Sequence, residues 1–152
     1  MSNDITLLTD LAWTSSKKKM IQICDKLYKK YSDELNALYK ENCETYINFM
    51  THISFTLKVL SKNVETKTDK WTIRQIAVHS ISILNVINDY GTLDFAKLPV
   101  WQILNICHSI KKLIGYSGMQ LDKSTCLGEI LNDNDFEIVN HYVQTGKLFM
   151  EE

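Results

Sequence analysis

PVWQILNICHSIKKLI, residues 99–114, decides how the rest of the chain has to be arranged. Val100, Trp101, Ile103, Leu104, Ile106, Cys107, Ile110, Leu113 and Ile114 fall at helical steps. Over the first three turns they wrap most of the circumference, the pattern of a helix enclosed by others. Pro99 suits the first turn, where its missing N–H would have no partner in any case. Gly115 is the expected left-handed terminator. A central helix over about 99–114 is thus predicted, with Trp101, Leu104, Cys107 and Ile110 in the core.

Upstream, Ile73, Ile76, Ala77, Ser80, Ile83, Leu84 and Ile87 form the buried stripe of a helix from about Lys70 to Asn88, stopped by Gly91. SKNVETKTDK, residues 61–70, is charged and aperiodic; it reads as a loop whose Thr68 or Asp69 starts that helix. Earlier still, Ser2, Asn3 or Asp4 can open a first helix with Ile5, Leu8, Leu11 and Ala12, and Met20, Ile23, Cys24, Leu27, Tyr28 and Tyr31 make the stripe of a second. A third carries Leu35, Leu38 and Tyr39; a fourth carries Tyr46, Met50, Ile53, Leu57 and Leu60. Downstream come a short helix from Ser124 to about Leu131 and a last one with Phe136, Val139, Tyr142 and Val143. The fold class is all-α: one domain over 1–152, with about seven or eight short helices around one apolar helix, and Leu27, Ile76 and Leu84 in its core.

Composition narrows the function. Hydrophobic residues are 45% of the chain, charged residues 23%, and the net charge is −1, so the broad basic footprint of a nucleic-acid binder is missing. The Lys17-Lys18-Lys19 run reads as a solvated first turn. Neither a signal peptide nor an apolar run of about 18 residues is present, which predicts no membrane insertion. Cys24, Cys43, Cys107 and Cys126 are far apart and lie beside apolar residues, the pattern of free thiols in a reducing compartment. Intracellular residence follows as the expectation.

Chemistry-bearing residues are sparse. WTIRQIAVHSI, residues 71–81, holds the sole arginine, Arg74, and His79 follows after four residues. Arg-x4-His resembles the motif of the HEPN ribonucleases, which implies RNA cleavage by that pair. On one straight helix, however, residues five apart diverge by about 140°, so the two cannot converge on one substrate atom within a chain. The HEPN motif also carries a polar Asn, His or Asp after its arginine and sits in a late helix; here Gln75 follows and further helices lie downstream. His52, His108 and His141 have no ligand partners at helical spacing, and no phosphate loop or nucleophile elbow occurs. No enzyme, metal or cofactor is predicted.

Two longer stretches carry a resemblance. LLTDLAWTSSKKKMIQICDKLYKK, residues 7–30, places Trp13 at the end of one helix and Leu27-Tyr28 fourteen residues later; ICHSIKKLIGYSGMQLDKSTCLGEI, residues 106–130, joins an apolar helix to a Gly-aromatic stop and a Leu-Gly step. With NDNDFEIVNHYV behind them, they resemble the poxviral Bcl-2-like inhibitors of innate signalling, over nearly the whole chain. The resemblance implies a Bcl-2-like bundle and a non-catalytic viral protein in the host cytoplasm. Such a protein binds a host kinase, adaptor or ubiquitin ligase on the routes to NF-κB or interferon induction. Other branches capture the amphipathic helix of pro-apoptotic proteins. Those open the central helix with Asn-Trp-Gly-Arg, whereas KLPVWQIL here has no arginine. Relatives use the face around the first and penultimate helices for partners or a homodimer, which assigns that role to Ile5, Leu8, Cys126 and Glu129.

Overall fold

The computed structural model describes residues 2–32, 44–118, 121–122 and 130–148 of the chain. Among them are six α-helices, one 3₁₀ turn and no strand. The helices are α1 (Ser2–Trp13), α2 (Lys17–Ser32), α3 (Glu44–Ser61), α4 (Lys67–Tyr90), α5 (Val100–Ser117) and α6 (Asp133–Thr145), with the 3₁₀ turn Phe95–Lys97 before α5. The all-α class is therefore the observed one. The expected helix with Leu35, Leu38 and Tyr39 lies outside the described residues, as does most of the short one expected from Ser124; Ile130 and Leu131 form a turn and bend into α6.

Caps set the lengths. Thr66 accepts a hydrogen bond from the Asp69 N–H, and the Asp69 carboxylate accepts from the N–H groups of Thr66 and Glu65, a capping box that starts α4 before the expected Lys70. Those bonds hold the Asp69 carboxyl below its usual range. Gly91, at φ 72°, closes α4 as predicted. Gly115 does not close α5: the helix runs on to Ser117, and Gly118 at φ 73° supplies the left-handed cap. The extra residues bring Tyr116 edge-on to Trp71 of α4, with ring centroids 5.1 Å apart. Pro99 precedes α5 as its N-cap, its carbonyl accepting from the Gln102 and Ile103 N–H groups.

Among the described helices, the one with the most neighbours is α4. It packs against α1, α3 and α5, whereas α5 packs chiefly against α4 and α6. Leu27, Ile76, Leu84, Cys107 and Ile110 are buried, but Trp101 and Leu104 are not: they are 63% and 44% exposed. The expected sheath around residues 99–114 is thus corrected to a half-sheath. Gln102, Ile103, Ile106, Cys107, Ser109, Ile110 and Leu113 make the buried face. That stripe fixes the rotation of α5, so Val100, Trp101 and Leu104 are carried to the opposite side, where no described helix covers them.

One buried polar atom is orphaned. Ser80 Oγ on α4 has no hydrogen-bond partner among the described residues. A buried unsatisfied hydroxyl costs about 1–3 kcal/mol, so Ser80→Ala should raise the unfolding free energy by about 1 kcal/mol in urea titration. A loss of that size would mean that the hydroxyl is satisfied.

Candidate docking surface

The exposed face of α5 and the flank of α6 form a groove of about 430 Å³ lined by Trp101, Leu104, Asn105, His108 and Tyr142. Positions 101, 104, 105 and 108 recur every three or four residues, so one face of α5 supplies four of the five lining side chains. Trp101 and Leu104 give it an apolar floor; Asn105 and His108 supply hydrogen-bonding groups. Lys111, one turn on, sits 5.8 Å from the Tyr142 ring centroid and makes that rim cationic. A second apolar groove, between α1 and α4, is lined by Thr9, Ala12, Trp13, Val78, Ile81 and Ser82, with Trp13 84% exposed at its edge.

The residues predicted for a partner or dimer face fare differently. Leu8 is fully buried in the core and is corrected from surface to core residue; it lies on the face of α1 that packs on α4 and α2. Ile5 is half-buried against that core. Cys126 and Glu129 lie outside the described residues.

Arg74 and His79 both lie on α4 and share the divergence expected of residues five apart. His79 turns to α5, where it stacks on Tyr116 and meets His108 edge-on. Arg74 makes no ion pair among the described residues. If the motif cleaved RNA, labelled RNA would be cut by the wild type and spared by His79→Ala; we expect identical, intact RNA with both.

The two described thiols are poor nucleophiles. Burial pushes Cys24 and Cys107 each up to about 12, so neither holds a thiolate near neutral pH. Among the described residues no group of three or more His, Cys, Asp or Glu side chains could hold a metal ion. No described helix is long and apolar enough to cross a membrane.

Two polar clusters escaped sequence reasoning. Asp4 is fully buried: Tyr31 and Tyr46 donate their hydroxyls to its Oδ2, and Lys30 Nζ lies 2.8 Å from Oδ1. The contacts join α1, α2 and α3. Asp135, also buried, accepts from the Phe95 N–H at 3.0 Å and ties the 3₁₀ turn to α6. Burial pushes its carboxyl above the usual range. The only hint of either in the sequence was an acidic residue near a helix start, which reads equally well as a cap.

Comparison of the chain with protein-family models, with curated proteins and with solved structures finds no match.

Proposed function

We propose that this chain is a non-enzymatic, Bcl-2-like antagonist of host innate immune signalling that acts in the host cytoplasm by binding a signalling protein. The partner is a kinase, adaptor or ubiquitin ligase on a route to NF-κB or interferon induction. The family resemblance of residues 7–30 and 106–130 supplies that class of role. The observation that carries the binding mode is the uncovered face of α5, with Trp101 standing 63% exposed above a concave surface. Large aromatic side chains dominate binding energy where a partner can desolvate them. The cationic Lys111 rim favours a segment with apolar anchors and an acidic residue at one end.

Expression of the chain in stimulated cells should lower reporter output on an NF-κB or interferon-promoter route. Unchanged output on every route sinks the reading. The same groove also supports a second one, capture of a pro-apoptotic amphipathic helix, because its floor is apolar and one helix supplies its main wall. Calorimetry with such helices separates the two: micromolar or tighter binding favours capture, and absence of heat across a panel removes it.

A further inference from the structure

Along the seam between α4 and α5 four rings form a ladder. Trp71 stands edge-on to Tyr116 with planes at 87°. Tyr116 stacks on His79 at 6.0 Å and 20°, and His79 meets His108 at 5.9 Å and 69°. His108 is also a wall of the α5–α6 groove. The ladder therefore links the groove wall to the packing of the two helices behind it.

Its inner histidine is in a poor place for a positive charge. His79 is half-buried, and among the described residues the titratable or charged groups that face it come from α5: His108, Lys112 and the Tyr116 phenol. No charged group of α1 or α3 acts on it among the described residues. His108, for its part, is faced by His79 from α4 and by the Tyr142 phenol of α6 across the groove. The Tyr116 ring could favour an imidazolium by cation–π attraction. Burial, followed by repulsion from His108 and Lys112, outweighs it and holds His79 below the ordinary histidine value.

We propose that His79 and His108 form a proton-sensitive latch on the α4–α5 seam. The ladder is closed while His79 is neutral. In acid, the charge gained by half-buried His79 beside His108 and Lys112 forces its ring away from its neighbours and moves His108 out of the groove wall.

The direction follows from linkage. The folded chain holds fewer protons at His79 than the unfolded chain does. The stabilisation is whole above about pH 6.5, the unfolded value, and declines as pH falls from there towards the folded value. The latch stands on the free protein alone and does not depend on what the groove binds.

Nuclear magnetic resonance of the full chain, titrated from pH 8 to pH 5, tests it. The His79 imidazole should titrate below about pH 6.5, the ordinary histidine value. The Tyr116 and Trp71 ring resonances should shift with the same midpoint. In His108→Gln, a change at an exposed position, the His79 midpoint should rise, since one of the charges that lower it is gone. Because Trp101 shares the groove with His108, its indole resonance should follow the His79 midpoint in the wild type and not in His108→Gln. A His79 midpoint at or above the ordinary value overturns the latch. So do ring resonances that stay fixed while His79 titrates, or a midpoint that His108→Gln leaves in place.

Discussion

Asp4→Ala should lower the unfolding free energy by about 2–4 kcal/mol, because two buried tyrosine hydroxyls lose a charged acceptor while the Lys30 ammonium, 32% exposed, is left to solvent. The wild-type carboxylate is fully buried and takes two tyrosine hydroxyls and the Lys30 ammonium. Truncation removes the carboxylate to which Tyr31, 2% exposed, and Tyr46, 6% exposed, both donate, while the Tyr31 hydroxyl keeps the Tyr46 oxygen 3.2 Å away. For a chain of this length each kcal/mol moves the melting temperature by about 2–4 °C, so a drop on the order of 10 °C is expected by scanning calorimetry. Asp4→Asn keeps the shape and one acceptor oxygen but loses the charge, and should fall between alanine and wild type. Equal stabilities for Asp4→Ala and wild type would show that the cluster contributes nothing. Because Asp4, Lys30, Tyr31 and Tyr46 sit on three helices, double-mutant cycles with Tyr46→Phe should be strongly non-additive.

The second large effect concerns binding rather than folding. Trp101→Ala should abolish most of the reporter inhibition proposed above and weaken partner binding by about 30-fold or more, since a central aromatic anchor contributes 2 kcal/mol or more and 1.4 kcal/mol is tenfold. Stability should hardly change. Trp101 is 63% exposed in the free chain, and surface changes generally stay within about 0.5 kcal/mol. Leu104→Asp, on the same face at 44% exposure, should repeat the phenotype. If both variants keep full inhibitory activity, the docking face lies elsewhere; the Trp13 groove between α1 and α4 is then next to be tested.

The two predictions rest on features of unequal legibility. Helix positions could be read from periodicity because stripes such as Met20, Ile23, Cys24, Leu27 and Tyr31 recur at three- and four-residue steps, and all five are buried. Gly91 could be read as a stop because a left-handed residue is needed there and glycine takes it without strain. What periodicity cannot rank is which helix has the most neighbours. The α5 sequence looks apolar all round, yet among the described helices it packs chiefly against α4 and α6, and Val100, Trp101 and Leu104 are exposed. By contrast α4, with Arg74, Gln75 and His79 breaking its apolar face, sits among three helices. Gly115 reads as the stop, but α5 runs on to Ser117 and Gly118 caps it; the added residues include Tyr116, whose ring meets Trp71, a contact between residues far apart in sequence. Asp4 was read as a cap because its two tyrosines are brought to it only by the tertiary fold.

The pairing of α1 with α4 bears on how the chain is made. Leu8 and Leu11 are made before the helix that α1 packs on most, Lys67–Tyr90, which follows only after roughly sixty residues, at about 5–20 residues per second about 3–12 s of synthesis. Over that interval α2 and α3, joined by local chain, can already zip together. Until then α1 waits with the side that α4 will cover still bare, a natural client for a chaperone at the exit tunnel.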